Sequence, residues 1–126
     1  MTPATLRLSA RTPAELRGAR ATLSRELQGW QCANASDAVL VFSELVTNAV
    51  LHAGGAVGIT IVHGDRTLRV EVRDADPTIP ARRNPRDGIG GFGLGIVTTL
   101  CRNWGWTPTA DGKVVWADVP CCPDDA

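Results

Sequence analysis

The sequence predicts an α+β fold, a two-layer sandwich in which an antiparallel or mixed sheet carries helices on one face. Short alternating or apolar segments are typical of strands, and longer segments with apolar residues at helical spacing are typical of helices. Their predicted order is β-α-α-β-β-loop-α-β-β. Consecutive strands connected as hairpins favour antiparallel pairing over a parallel sheet. At 126 residues the chain has the length of one domain, covering 1–126.

The N-terminal part is predicted to form an edge strand over residues 5–9, followed by two helices over 12–29 and 36–53. Thr12 is a favoured N-cap, and the proline after it suits the first helical position. Ser36 is the expected N-cap of the second helix. Glycines follow the last apolar residues of both helices, and glycine commonly ends a helix.

The remaining elements include two predicted hairpins around one long loop. In the strand after the first turn, Leu68, Val70 and Val72 alternate with charged residues, so they are expected to face the core. Long loops are uncommon in compact domains and are often functional lids. The predicted segments are strands 56–62 and 67–73, a loop over 74–91, a helix over 92–101, and strands 104–109 and 113–119.

Charge and hydropathy limit the classes of partner. The 13 basic and 13 acidic residues give a formal net charge of zero, which argues against a direct nucleic-acid or membrane partner. The N-terminus lacks the apolar region of a signal peptide, and no apolar run approaches the ~20 residues of a membrane span. We therefore expect a cytoplasmic protein.

The four cysteines are Cys32, Cys101, Cys121 and Cys122. Their spacing matches no zinc-binding template, and the adjacent pair is poorly placed for a mutual disulfide. We expect ordinary reduced thiols and no structural metal site.

A polar stripe runs along the otherwise apolar second helix. Glu44, Asn48 and His52 are four residues apart, so they drift by only about 40° per step around the helix. Such a stripe faces either water or a ligand that needs oxygen and nitrogen groups.

A glycine cluster, GIGGFGLG at 88–95, precedes the third predicted helix. It contains a formal G-x-G-x-x-G, but it follows a proline-rich loop and not a strand, which makes a dinucleotide-binding fold a weak hypothesis. Glycines let backbone N–H groups approach phosphates, and a helix N-terminus adds a favourable dipole. We expect phosphate binding; a purely structural loop is the alternative.

Two further features allow a functional or an ordinary interpretation. Asp74 ends a strand just before the loop, where its carboxylate could accept a hydrogen bond from an exocyclic amine or simply form a turn. Arg82, Arg83 and Arg86 lie within the loop and could neutralise phosphates, although a solvated basic loop is the more common case.

Together these segments carry a family resemblance. Residues 44–53 (ELVTNAVLHA) resemble the N-box of the gyrase, heat-shock chaperone and histidine-kinase ATPase superfamily, specifically its anti-sigma-factor serine kinase branch. Residues 74–77 (DADP) resemble the start of the first glycine box, 91–97 (GFGLGIV) the second, and 111–116 (DGKVVW) the closing strand. The correspondence covers nearly the whole chain in order. It implies the Bergerat fold, with ATP held between sheet, helix and lid.

The resemblance also implies roles for individual residues. Asn48 would offer its carbonyl oxygen to Mg²⁺, and Glu44 would hold a metal-bound water or act as the base toward an attacking hydroxyl. Asp74 would read the adenine amino group. His52 would contact the nucleotide or, equally, pack against a loop. The lid residues that would surround the phosphates are Gly91, Phe92, Gly93, Leu94 and Gly95.

Three positions depart from the family's pattern. Asp76 replaces the glycine of Asp-x-Gly, Val114 stands where a threonine usually supports the adenine site, and Leu51 replaces a common basic residue. Each lost hydrogen bond is worth about 1–2 kcal/mol, so we expect weaker ATP binding than in relatives.

Two functions follow from the resemblance. The first is a Mg²⁺-ATP-dependent serine/threonine kinase that phosphorylates an anti-sigma-factor antagonist and sequesters a sigma factor. The second is a regulatory module that binds ATP and switches partners with little catalysis. Relatives suggest a homodimer. The catalytic domain of a sensor histidine kinase is disfavoured, since the sequence contains no dimerisation helices or phospho-acceptor domain.

Overall fold

The structure, a computed structural model, describes residues 4–52, 56–64, 66–76 and 93–121, with the backbone alone at 52, 56, 57, 93 and 94. The order of elements is the predicted one. The elements are β1 (Ala4–Ala10), α1 (Pro13–Gly29), α2 (Ala35–His52), β2 (Ala56–His63), β3 (Thr67–Asp74), α3 (Gly93–Leu100), β4 (Asn103–Thr109) and β5 (Gly112–Pro120). Most of the predicted loop, residues 77–91, lies outside the described residues.

The five strands form one sheet in the order β1-β2-β3-β5-β4, and every neighbouring pair is antiparallel. The first strand lies at an edge, as predicted. The strand β5, which is the last in the sequence, lies between β3 and β4. Its register places Lys113 opposite Asp74 and Val114 opposite Arg73.

The core lies between one face of the sheet and the helices. The predicted inward residues Leu68, Val70 and Val72 are buried, and the α2 residues Phe42 and Val46 are fully buried against this side. Burying a side chain of this size stabilises the fold by about 1.5–3 kcal/mol relative to leaving it exposed. The strong apolar face of α2 therefore fixes its orientation and leaves its polar stripe at the margin of the core.

The helix boundaries confirm one predicted cap and correct the other. In α1 the Thr12 hydroxyl accepts a hydrogen bond from the Glu15 backbone N–H at 3.2 Å, so Thr12 is the N-cap. In α2 the backbone N–H of Ala38 donates to the Asn34 carbonyl at 3.0 Å, and the helix starts at Ala35. The predicted Ser36 cap is therefore wrong, because the helix already begins one residue before Ser36. The side-chain amide of Asn34 donates to the Pro120 carbonyl at 3.1 Å and so fixes the chain just before the helix.

The prediction of four reduced cysteines is wrong for two of them. Cys32 and Cys121 form a disulfide, and their Cα atoms are 5.0 Å apart. Gln31 adopts a left-handed conformation, with a φ of 57°, which turns the chain after α1. The Ala33 N–H then donates to the Cys121 carbonyl at 2.8 Å, and this backbone contact brings the two cysteines together. Cys101 is free.

Membrane insertion through a helix has no support in the structure. Within the described ranges, no helix is both long enough and apolar enough to cross a membrane.

Candidate functional site

The polar stripe on α2 supplies two half-buried side chains that have no partner among the described residues. Glu44 and Asn48 are both partly exposed. Among the described residues neither side chain makes a hydrogen bond or an ion pair, although both lie beside a buried apolar face. His52 is the last residue of α2, and its side chain lies outside the described part. Glu44 and Asn48 are therefore available to a ligand.

Glu44 can be reached from solvent through a groove of about 780 Å³ between α1 and α2. The groove also carries Arg20, whose Nε is buried and has no hydrogen-bond partner in the described structure. Hydroxyl and amide side chains from both helices complete its walls, so it is polar enough to admit a peptide hydroxyl. The other polar lining residues are Ser24, Gln28, Ser36, Ser43 and Thr47.

Asp74 is the last residue of β3, and its side chain is only 3% exposed. Its Oδ1 accepts two hydrogen bonds, from the Asp76 backbone N–H at 2.9 Å and from the Lys113 Nζ at 3.1 Å. A buried carboxylate needs such partners, because an unpaired buried charge is strongly destabilising. The structure thus places Asp74 at the end of β3, as the sequence predicts.

Lys113 is a site residue that sequence reasoning missed. Its side chain is 9% exposed, and its Nζ donates to the Asp76 carbonyl at 2.7 Å as well as to Asp74. The sequence contains a signal for the burial of Lys113, because it alternates in step with the apolar residues Val115, Ala117 and Val119. Residues two apart on a strand face the same side, so this lysine had to point toward the core.

Gly112 allows the close approach of β5 to the end of β3. A Cβ at this position would overlap the Asp74 carbonyl oxygen and the Ala75 backbone. Gly112 is the first residue of β5, and its missing side chain lets Lys113 come within reach of Asp74.

The three departures from the family pattern take specific positions. Val114 pairs with Arg73 and lies on the opposite face from Asp74, so the side chain beside Asp74 is that of Lys113. Asp76 contributes its backbone N–H and carbonyl to the buried pair. Leu51 is 56% exposed near the end of α2.

The glycine-rich lid is described in part. Gly91 and Phe92 lie outside the described residues, whereas Gly93, Leu94 and Gly95 form the first turn of α3, which packs on α2. A Cβ at Gly95 would meet no atom within 4 Å. Space therefore remains beside the backbone of this turn.

A second charged cluster occupies the other face of the sheet. Arg69 makes two hydrogen bonds to Asp118, at 2.7 and 2.9 Å, and lies over the Trp116 ring at 4.6 Å from its centroid. The hydrogen bond that Arg69 donates to Asp118 raises the pKa of Arg69, while burial works in the opposite direction. Because these groups satisfy one another, they are not candidate ligand contacts.

Comparison with protein families identifies the domain type. Residues 9–119, which include every described element of the site, match the histidine kinase-like ATPase domain. The chain belongs to this family. Membership supports ATP binding by the domain, and the antiparallel sheet with helices on one face agrees with the family's fold. Comparison with curated proteins finds no match.

The donor groups in the ATPase domain fit a nucleotide with its metal ion. Asn48 provides an amide oxygen that no described residue engages, and an amide oxygen is the hard ligand type that Mg²⁺ takes. Within the described ranges no group of three or more histidine, cysteine, aspartate or glutamate side chains could hold a metal alone.

Proposed function

We propose that this domain is a Mg²⁺-ATP-dependent serine/threonine protein kinase of the anti-sigma-factor type. The observation that carries the proposal is the pair Glu44 and Asn48, two polar side chains on one face of a buried helix with no partner among the described residues. A core helix gains no stability from unpaired polar groups at its margin, so a ligand function explains them better than packing does.

Asp74 would bind the adenine of ATP. Its Oδ1 is engaged by Asp76 and Lys113, and Oδ2 accepts no hydrogen bond from any described residue, so Oδ2 is the acceptor for the adenine amino group. The first turn of α3, including Gly93, Leu94 and Gly95, would offer backbone N–H groups to the phosphates, together with Gly91 and Phe92.

Asn48 and Glu44 would have different roles at the transferred phosphoryl group, metal binding and proton acceptance. When bound, Mg²⁺-ATP supplies the phosphoryl group and neutralises its charge. Asn48 holds the metal through its amide oxygen. Glu44, one turn earlier, would accept the proton of the attacking hydroxyl, which enters through the groove between α1 and α2, as the hydroxyl oxygen bonds to the γ-phosphorus and ADP leaves. His52 would contact the nucleotide at the end of α2.

The hydroxyl would belong to a serine or threonine of an anti-sigma-factor antagonist. The unphosphorylated antagonist would then compete with a sigma factor for the same domain, and phosphorylation would release the antagonist. We propose a cytoplasmic location and a homodimer for this scheme.

The test is phosphoryl transfer from radiolabelled ATP. The protein, Mg²⁺ and each candidate antagonist from the same genome are incubated, and label on a serine or threonine is expected. Glu44→Gln should reduce the transfer rate by about 10²–10⁴-fold, the usual contribution of a general base, while ATP still binds. Thr22→Ala is the matched control, because Thr22 is half-buried on α1 and, among the described residues, bonds only within that helix. Absence of labelling for every antagonist would reject the kinase.

A second candidate function is an ATP-binding switch with little catalysis. The buried Lys113 contact on Asp74 favours it, because it alters the base site of the family. An increase in melting temperature with Mg²⁺-ATP, together with partner binding but no transfer, is the expected result for such a module.

A further inference from the structure

The nucleotide site contains a buried lysine without an assigned role. Lys113 and Asp74 face each other across β3 and β5, and their side chains are 9% and 3% exposed. A buried ion pair is often no more stabilising than a well-packed apolar pair. Packing alone therefore gives no reason for a cation at this position.

The hydrogen bonds of the pair leave one donor and one acceptor side by side. Lysine carries three N–H donors, and Lys113 uses one on Asp74 Oδ1 and one on the Asp76 carbonyl. Asp74 accepts both of its hydrogen bonds on Oδ1. Within the described part of the chain, the third Lys113 donor and Asp74 Oδ2 have no partner. The two groups belong to residues that face each other across β3 and β5.

Adenine presents the complementary edge. Its exocyclic amine is a donor, and the neighbouring ring nitrogen N1 is an acceptor, so a carboxylate beside an ammonium can satisfy both at once. We propose that Lys113 is a base-reading residue of the ATP site, donating to adenine N1 while Asp74 accepts from the amine; this rests on the proposed ATP binding by this site. In this scheme Lys113 replaces the hydrogen bond lost with the threonine of relatives.

The contacts around the pair hold the Lys113 amino group in one position. Gly112 brings the start of β5 tightly against the end of β3, and Asp76 holds the Lys113 amino group from a second side at 2.7 Å. An amino group held by two acceptors has lost most of its freedom before a ligand arrives. Binding a base then requires little further ordering, which favours affinity and selectivity.

The test combines a nucleotide analogue with a protein variant. Isothermal titration measures ATP and 1-deaza-ATP, in which a C–H replaces N1, against the wild type and Lys113→Met. We expect 1-deaza-ATP to bind the wild type at least about tenfold more weakly than ATP, the usual value of a hydrogen bond to a charged group. In Lys113→Met the two nucleotides should bind within about twofold of each other.

The controls separate a direct contact from a general effect. Arg69→Met removes the other cation that joins β3 to β5, on the opposite face, and should keep the full difference between the two nucleotides. If Lys113→Met does not fold, Asp74→Asn/Lys113→Met removes both charges, so that neither is left unpaired, and the same twofold agreement is expected. GTP, which carries a carbonyl in place of the amine, should bind the wild type more weakly than ATP.

The contrary outcomes distinguish a failure of the proposed Lys113 contact from a failure of ATP binding. Equal binding of ATP and 1-deaza-ATP by the wild type overturns the role of Lys113 and leaves ATP binding intact. A difference that persists in Lys113→Met, or tighter binding of GTP, overturns it as well. If the wild type binds no ATP, the proposed function itself fails.

Discussion

The two ends of the β3–β5 pair are held together by different chemistry. At the end of β5, Cys121 is joined to Cys32 by a disulfide, and its backbone is bonded to Ala33 and Arg66. At the start of β5, Lys113 and Asp74 are joined by charge and hydrogen bonds that leave polar groups uncommitted. The first end is closed by its own contacts, whereas the second offers a donor and an acceptor to a ligand.

This difference separates a structural end of the sheet from the end proposed to bind the nucleotide. Changes at the closed end should alter stability without altering ATP binding. Changes at the open end should alter both, because the groups that hold the strands there are the groups proposed to contact the base.

The largest effect is expected at the open end. Lys113→Met removes one partner of a buried ion pair and leaves the Asp74 charge unpaired, so the free energy of unfolding should fall by about 3–5 kcal/mol. Urea unfolding measures this loss. The double variant Asp74→Asn/Lys113→Met should recover most of it, and a double variant as unstable as Lys113→Met would contradict the ion-pair explanation.

The closed end should show a smaller effect, confined to stability. Replacing both Cys32 and Cys121 by alanine should lower the free energy of unfolding of the oxidised protein by about 2–4 kcal/mol, since the disulfide closes a long loop. The dissociation constant for Mg²⁺-ATP should not change. Dithiothreitol should destabilise the wild type and leave the double variant unaffected; a change in ATP affinity would show that the two ends are coupled.

Asn48 provides the test of the proposed metal site. Mg²⁺-ATP should raise the melting temperature of the wild type, because a ligand that binds the native state stabilises it. Asn48→Ala removes the amide oxygen proposed for the metal and should weaken Mg²⁺-ATP binding by about 10–100-fold, a loss of about 1.4–2.7 kcal/mol. Thr47→Ala, on the neighbouring position of α2, should keep the wild-type shift. An unchanged shift in Asn48→Ala would exclude that role.

The satisfied pair on the outer face should matter little. Asp118→Asn weakens the contact with Arg69, whose side chain is 42% exposed, so the free energy of unfolding should fall by at most about 1 kcal/mol. ATP affinity should remain at the wild-type value. Thermal unfolding with and without nucleotide measures both, and a loss as large as that of Lys113→Met would remove the contrast between buried and exposed pairs.

The smallest effect is a pH dependence at Cys101. Burial, together with the nearby Asp118 charge, raises the pKa of this thiol from 9.0 to about 12. The native state therefore keeps a proton that the unfolded chain loses above about pH 9, and this contribution to stability falls as pH rises from about 9 to about 12. The difference in unfolding free energy between wild type and Cys101→Ala should shrink between pH 8 and pH 10. A constant difference would contradict the raised pKa.

Local patterns in the sequence predicted much of the fold. The alternation of Leu68, Val70 and Val72 gave their face of β3 correctly, and Thr12 gave the start of α1. The order of elements and the edge position of β1 also follow from the sequence. These features depend on neighbours a few residues apart, which is the range over which helix and strand periodicity operates.

The contacts that the sequence could not predict join distant segments. Cys32 and Cys121 are separated by 89 residues, and Asp74 and Lys113 by 39. Pairing between β3 and β5 depends on strand register, which changes the face of every residue when it shifts by one. For this reason the resemblance alone did not show that Lys113, and not its neighbour Val114, lies on the same face of the sheet as Asp74.

The most direct test of the account is a crystal structure of the protein with Mg²⁺ and a non-hydrolysable ATP analogue. The account predicts the adenine amine on Asp74 Oδ2, adenine N1 on the Lys113 amino group, and the metal on the Asn48 amide oxygen. A nucleotide bound elsewhere, or a base that leaves Asp74 untouched, would contradict it.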